Sequence, residues 1–255
     1  MFTIKINNKP IILIDCSYYI FYRYFATKKW ISFQKGDKVY DFLTCFEKHF
    51  ENDMIKLAKR FKTVRENIYF GVDCYRDSIW RNEYLNCYKE KRINNPEFDR
   101  DIFDYFKQTI KLKYNLNLIS GEKLEADDVI ALLHKQLNNN EIIIITNDND
   151  YVQLKDNNTK IMNMQFKDIT INCKTHNFVI HKALIGDKSD NIKRVGKITK
   201  NQAEILITKP IKDINNWLED NNLLEEFNNN LKLIDFNLIP EELCKNFLET
   251  VELIY

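Results

Sequence analysis

Between Leu124 and Asp150 the sequence LEADDVIALLHKQLNNNEIIIITNDND sets five carboxylates in two tight groups, Glu125, Asp127 and Asp128 in one and Asp148 and Asp150 in the other. Four further acids, Asp15, Asp73, Asp187 and Asp190, stand elsewhere in the chain at positions that connect them to the same chemistry. Oxygen ligands in this number, in a set that includes no cysteine or evident histidine, suit Mg²⁺ or Mn²⁺ and not zinc. Two like charges about 4 Å apart repel by roughly 4 kcal/mol at an effective dielectric of about 20. A pocket that gathered all these acids would therefore need cations. Too many carboxylates for one ion implies two, and two ions about 3.5–4 Å apart can activate a water and stabilise a leaving oxygen in phosphodiester cleavage. The implied reaction is hydrolysis of a nucleic acid.

Each acidic group has an ordinary explanation. Acids in the first turn of a helix are favoured by the helix dipole, and an Asn-Asp cluster after a strand is usually a turn. Their coincidence argues otherwise. Ala126, Val129, Ile130, Leu133 and Leu137 fall at helical spacing behind Glu125, and Ile142–Ile145 is a β-branched run apolar on both faces, as in a buried parallel strand. Asp148 and Asp150 then lie just past the strand's carboxyl end, where open α/β sheets bind ligands. Ile11–Ile14 leads to Asp15 and Ile68–Val72 to Asp73 in the same way. Between those two strands, Phe42, Leu43, Phe46, Phe50, Met54, Leu57 and Phe61 give Tyr40–Phe61 a helical face suited to the right-handed crossover that parallel strands require. The expected fold is α/β: a mostly parallel central sheet flanked by helices, with Asp15, Asp73 and Asp148 converging on one edge.

From Cys74 to Arg100 no strong core face appears, and basic and aromatic residues interleave: Arg76, Trp80, Arg81, Tyr84, Tyr88, Lys89, Lys91 and Arg92. A solvated surface helix pair would look like this, and so would a segment whose cations track phosphates while its rings stack bases. Ile102–Tyr114 reads as a helix and Leu116–Ile119 as a short strand. Lys160–Met164 and Asp168–Asn172 suggest a hairpin. Phe178–Ile185 reads as a helix ending at Gly186-Asp187-Lys188-Ser189-Asp190-Asn191, after which the chain is expected to be mainly helical to Tyr255, interrupted at Pro210, Leu231–Phe236 and Pro240.

At 255 residues and 44% hydrophobic content the chain can bury a large core. The formal net charge is only +1, yet the cations cluster, at Arg76, Arg81, Lys89, Lys91 and Arg92 and again at Lys188, Lys193, Arg194, Lys197 and Lys200. Six cysteines without a Cys-x-x-Cys pair, among them Cys173, and no signal-peptide pattern fit a reduced, cytoplasmic compartment, the host's if the source is viral. His49, His134, His176 and His181 are given structural roles. No apolar run approaches the roughly 18 residues of a membrane span.

Spacing tests the rival metal sites. An EF-hand loop begun at Asp148 would need Gly and Glu where Gln153 and Thr159 stand. Asp15-Cys16-Ser17 is not the Asp-x-Asp of a haloacid dehalogenase-type phosphatase, Tyr19 breaks the Asp-x-Ser-x-Ser of an adhesion module, and no P-loop is present.

Glu125-Ala126-Asp127-Asp128, Asp148-x-Asp150 and Gly186-Asp187-x-Ser189-Asp190-Asn191, with Asp15 and Asp73 at earlier strand ends, resemble the motifs of the flap endonuclease or 5′ nuclease family. The similarity covers nearly the whole chain. Asn230-Leu231-Lys232-Leu233-Ile234-Asp235-Phe236 followed by Ile239-Pro240 is similar, within that family, to the T-even-type phage ribonuclease H branch. The resemblance implies a PIN-like nuclease core over residues 1–180 with a helical arch at about 76–110, then a C-terminal helical region over 181–255 with a helix-three-turn-helix-like duplex-binding motif. It implies that Asp15, Asp73, Glu125, Asp127 and Asp128 hold the catalytic metal, and that Asp148, Asp150, Asp187 and Asp190 help hold a second. Arg81, Tyr88, Lys89 and Arg92 resemble the arch pattern Arg…Tyr-Lys-x-x-Arg, with Lys89 stabilising the phosphate, Arg92 supporting it, and Arg81 and Tyr88 contacting DNA.

One stretch departs from the family. Where a Pro-Gly-Val-x-Gly-Ile-Gly hairpin is usual, this chain has Ile192-Lys193-Arg194-Val195-Gly196-Lys197-Ile198-Thr199, which puts a potassium site in doubt and leaves Lys193, Arg194, Lys197 and Lys200 to hold duplex by charge. The resulting expectation is a monomeric 5′ to 3′ exonuclease and flap endonuclease using two Mg²⁺ ions, with Mn²⁺ as substitute. Its substrates would be DNA with a 5′ flap, nick or RNA primer and RNA–DNA hybrid, its partners replication proteins, with no membrane. The weak core pattern of residues 76–95 makes disorder the expectation there. The rivals are a non-catalytic branched-DNA-binding module and a PIN-class ribonuclease.

Overall fold

The computed structural model describes residues 1–34, 39–92, 95–171 and 177–254. The chain opens with two strands, Phe2–Lys5 (β1) and Ile11–Asp15 (β2), and only the second enters the central sheet. Helices Cys16–Ser32 (α1) and Phe42–Arg60 (α2) carry it to Ile68–Val72 (β3). After a long excursion, Asp101–Tyr105 (α3) passes through a π-helical turn at Phe106–Ile110 into Lys111–Tyr114 (α4) and then Asn117–Ser120 (β4). Ala126–Gln136 (α5), Ile142–Ile145 (β5) and Thr159–Met162 (β6) complete the sheet.

The sheet order is β4-β3-β2-β5-β6, and every pair in it is parallel. The chain winds outward from β2 to β4, then crosses back to β5 on β2's other side. The order therefore reverses between β2 and β5, the position at which α/β sheets open a crevice beyond their strand ends. One face carries α1, α2 and the α3–α4 helices over Ile12, Ile14, Phe46, Phe50, Phe70 and Phe106; the other carries α5 over Ile11, Leu13, Tyr69, Ile142 and Ile144. Both faces are covered, which is why the three central strands read as unbroken apolar runs.

Four expectations are corrected. The proposed hairpin is absent among the described residues: Thr159–Met162 joins the edge of the sheet parallel to β5, and only an antiparallel bridge, Met162 to Asp168, links it onward. Asn172, at that hairpin's end, lies outside the described residues, as do Cys173 and His176. The C-terminal region is helical through Phe178–Ile185 (α6), Lys200–Leu206 (α7), Ile211–Asp220 (α8), Leu224–Ile234 (α9) and Glu241–Leu248 (α10), yet it ends in a strand, Val251–Ile254 (β7), paired in parallel with β1. Leu231–Phe236 does not interrupt the helices; it is largely the end of α9. Residues 76–92 are folded, with 3₁₀ turns at Arg76–Ser78 and Trp80–Glu83 and further turns after them, and not disordered, although Ile93 and Asn94 lie outside the described residues.

A third core joins α6 to α9 with Ile79 and Tyr88, whereas Phe247, Leu243, Val251 and Leu253 return to the α5 face. The boundary expected at residue 180 thus falls within α6, and the last helix and strand pack with the nuclease sheet. No described helix is long and apolar enough to cross a membrane.

Candidate metal centre and nucleic-acid cleft

The parallel strands deliver their acids at one edge. Asp15, the last residue of β2, caps α1 by accepting the Tyr18 N–H at 2.9 Å. Asp73, just past β3, accepts the Ala126 N–H at 2.8 Å and the Ser17 hydroxyl. Asp148, after β5, caps a 3₁₀ turn over Asn149–Leu154 and accepts the Asp150 N–H at 2.9 Å. Gly71 makes this approach possible, because a Cβ there would meet Ile130 at 2.8 Å and the Ala126 carbonyl at 2.9 Å. With hydrogen in that place, the first turn of α5 sits against β3 and presents Asp127 beside Asp73 and Asp15. The acids open onto a cleft of about 1170 Å³ lined also by Tyr18, Phe21, Lys89, Arg92, Arg100, Phe103 and Lys107.

The nine carboxylates divide by partner. Glu125 is held by Lys89 and Arg81, Asp128 by Arg81, Asp150 and Asp187 by Lys182, and Asp190 by Arg92. Asp15, Asp73, Asp127 and Asp148 have no lysine or arginine partner among the described residues. Burial, and then the neighbouring Asp73, push the Asp15 carboxyl up to about 7 against the pull of the Tyr18 N–H. Burial also raises Asp148, with Asp127 adding to it. Acids so placed favour a proton or a metal over bare charge.

The basic-aromatic segment packs inward. Arg81 is 1% exposed; its guanidinium donates to Asp128 through Nη1 at 2.8 Å and Nη2 at 2.7 Å, and through Nη1 to Glu125 at 3.0 Å. Asp128 also accepts the Trp80 indole N–H at 2.9 Å and the Glu125 backbone N–H at 3.1 Å, closing a capping box. It is fully buried and does not line the cleft. The Tyr88 hydroxyl donates to Glu125 at 3.0 Å and the Lys89 ammonium at 2.5 Å. Arg92 reaches Asp190 at 2.6 Å with half its side chain in solvent. Of the four arch candidates, Lys89 and Arg92 face the cleft, while Arg81 and Tyr88 act from behind Glu125 and Asp128.

The second acidic group is built by α6 and the loop after it. Gly186, at φ +72°, ends the helix where a Cβ would strike the Ile192 carbonyl at 2.5 Å, and the loop closes through a bridge between Asp187 and Ile192. Oxygens of Asp150, Asp187 and Asp190 lie within 4.8 Å of one another, as do those of Glu125, Asp127 and Asp128. Beside this loop Lys91, Lys188, Lys193, Arg194 and Lys197 surround a second concavity of about 740 Å³, while Lys200 stands exposed at the start of α7.

Sequence reasoning gave no role to Ser17, Tyr151 and Lys182, and named Trp80 only among rings that could stack bases and not as a donor to Asp128. Tyr151 follows the Asp-x-Asp pair and, fully buried, donates to Asp15 at 3.2 Å. Lys182 donates to both Asp150 oxygens and forms an ion pair with Asp187; although burial opposes it, these carboxylates raise its pKa, and Lys182 with Ser189 holds Asp187 down at about 2 against its own burial. The only clue was a lysine one helical turn before Gly186-Asp187.

The donor set fits divalent cations. Four carboxylates line the cleft without a lysine or arginine ion-pair partner among the described residues, and the thiol in the cleft wall, Cys74, is pushed up to about 11 by burial and so is a poor thiolate ligand. Comparison with known proteins points the same way. Residues 10–183 match the family model described as 5′–3′ exonuclease, N-terminal resolvase-like domain. The chain is 28% identical over 234 residues to a 5′–3′ exonuclease of Mycoplasmopsis pulmonis (strain UAB CTIP), covering 86% of this chain and 74% of that protein. It is 29% identical over 224 residues to ribonuclease H of Enterobacteria phage T4, covering 75% and 72%. Among solved structures it is similar to a bacteriophage T5 flap endonuclease variant in a pseudo-enzyme–product complex with DNA and metal ions, with a TM-score of 0.66 and 18% identity over 95% of this chain and 97% of that one. A T5 5′-exonuclease structure with divalent zinc bound gives a TM-score of 0.64 at 18% identity over 95% and 98%.

Proposed function

The chain belongs to the 5′–3′ exonuclease family, and from that premise we propose that it hydrolyses phosphodiester bonds at 5′ ends and 5′ flaps, removing RNA primers and flaps during DNA replication. The observation that carries this reading is the set Asp15, Asp73, Asp127 and Asp148, which line one cleft from the carboxyl ends of β2, β3 and β5 and the first turn of α5, without a lysine or arginine ion-pair partner among the described residues. Asp15, Asp73, Asp127 and Asp148 would hold the first divalent ion, and Asp150, Asp187 and Asp190 the second. Mg²⁺, with Mn²⁺ as substitute, would supply an activated water and neutralise the leaving oxygen.

The chain's own residues do the rest. Lys89 stands over the acids with its ammonium on Glu125, placed to take up charge developing on a phosphate. Arg92, half in solvent, supports it from the Asp190 side. Arg81 and Tyr88 are positioning residues, because they touch Glu125 or Asp128 and not the cleft floor. Tyr18, Phe21 and Phe103 offer rings at the cleft wall for unpaired bases, and Lys91, Lys188, Lys193, Arg194 and Lys197 offer charge for duplex backbone.

The test is cleavage of labelled 5′-flap, nicked-duplex and RNA-primed DNA and of RNA–DNA hybrid with Mg²⁺, Mn²⁺ or EDTA. Release of short 5′ products that stops with EDTA is expected. Folded protein that binds these substrates and leaves them intact with either metal would overturn the proposal.

A further inference from the structure

Lys182 stands at the centre of the second acidic group. Its ammonium lies 2.5 and 2.6 Å from the two oxygens of Asp150 and 2.6 Å from Oδ2 of Asp187. Three carboxylate oxygens thus surround the ammonium, the two of Asp150 as hydrogen-bond acceptors and that of Asp187 as an ion-pair partner. All three side chains are close to buried, at 13, 13 and 18% exposure, so these contacts are part of the packed structure and not a solvated surface pair. The third acid of the group, Asp190, is engaged by Arg92. The lysine is fixed from its own backbone as well, since its carbonyl accepts the Gly186 N–H at 2.8 Å and so ends α6. Asp15, Asp73, Asp127 and Asp148, by contrast, form no ion pair with a lysine or arginine among the described residues.

A second divalent ion and this ammonium would use the same oxygens. Resting on the metal-dependent reading above, we propose that Lys182 is the resident cation of the second acidic group, so that the protein without nucleic acid binds one divalent ion tightly and a second only by displacing Lys182. The first group recruits metal by its unpaired carboxylates; the second already holds two protein cations, Lys182 and Arg92, against its three carboxylates. Second-ion binding then becomes conditional on something that draws Lys182 away, and the phosphates of a nucleic acid entering the same cleft are an anion able to do so.

Counting bound Mn²⁺ on the full-length chain without nucleic acid tests this, by the loss of the free-ion EPR signal or by calorimetric titration. The wild-type protein should titrate with one tight site, and Lys182→Met, which keeps the stem and removes the charge, should gain a second site at least about tenfold tighter than any second site of the wild type. Lys182→Arg should stay at one. If Lys182→Met does not fold in EDTA, Lys182→Gln, which can still donate to Asp150, is titrated in its place. Equal stoichiometry and affinity in wild type and neutral variant overturn the inference while leaving the metal-nuclease reading intact. A wild-type protein that binds no divalent ion at all would instead strike at that reading.

Discussion

Asp128→Asn separates a structural acid from a metal-facing one. Asp128 is fully buried and receives two N–H groups of Arg81, the Trp80 indole N–H and the Glu125 backbone N–H. Asparagine keeps the size, but removes the charge and turns a donor toward groups that already donate. Arg81 would keep Glu125 at 3.0 Å and the Leu233 carbonyl at 2.8 Å. Removing one member of a buried ion pair costs about 3–5 kcal/mol, and the remaining Glu125 contact places this case at the lower end, about 3 kcal/mol. At about 2–4 °C per kcal/mol for a chain of this size, the melting midpoint should fall by about 6–12 °C. Asp127→Asn makes the same chemical change one residue away, on a half-buried carboxylate with no cation partner. It relieves repulsion, so its midpoint in EDTA should match or exceed the wild type while its Mn²⁺ affinity drops. Circular-dichroism melts in EDTA read the first effect and Mn²⁺ titration the second. An Asp128→Asn midpoint within about 2 °C of wild type, the range of a neutral surface change, or equal melting of the two variants, would refute the assignment.

Lys89→Met should slow single-turnover cleavage of a 5′-flap by about 10²–10³-fold, as expected for loss of one preorganised charge at a reacting phosphate; unchanged rates would remove Lys89 from the chemistry. Gly71→Ala drives a methyl into Ile130 and the Ala126 carbonyl, and overpacking of that kind costs about 1–3 kcal/mol; a denaturant melt reads the loss, and Mn²⁺ affinity should fall with it as α5 is lifted off β3. In EDTA, stability should decline as pH rises from about 5 to about 8. Asp15 and Asp148 have folded pKa values above their unfolded ones, so the fold binds more protons than the unfolded chain in that window and loses this advantage as Asp15 titrates near 7. Saturating Mg²⁺ should remove the trend, and a rising stability in EDTA would contradict it. Replacing Lys193 and Arg194 together by Ala should flatten the salt dependence of duplex binding by up to about two in the log–log slope, with fluorescence anisotropy as the readout.

The acids and their strands were readable because buried parallel strands are apolar on both faces and because each ends in aspartate at the same side. Other parts were hidden for identifiable reasons. Helix α1 escaped notice because its rings serve two environments: Tyr19 and Tyr24 are in the core, whereas Tyr18 and Phe21 line the cleft, so no apolar stripe develops. The segment from Arg76 to Arg92 looked solvated because its interior face is polar: Arg81, Tyr88 and Lys89 are buried against carboxylates, and hydropathy cannot distinguish that from exposure. Lys182 was hidden by the same effect. Strand β6 was misread as a hairpin arm because four residues of alternating burial carry no information about direction.

The pairing of β1 with β7 has a kinetic consequence. Phe2 sits opposite Val251 and Ile4 opposite Leu253, so this ladder closes a loop of about 250 residues, among the slowest kinds of contact to form. Ile4 belongs to the same core as Ile11, Leu13 and α5, and Val251 and Leu253 cover it. On a ribosome the first strand is made about 250 residues before its partner. The nuclease sheet can therefore assemble during translation, but the α5 side of its core stays open until β7 emerges, and that interval is when an exposed β1 edge is most open to mispairing.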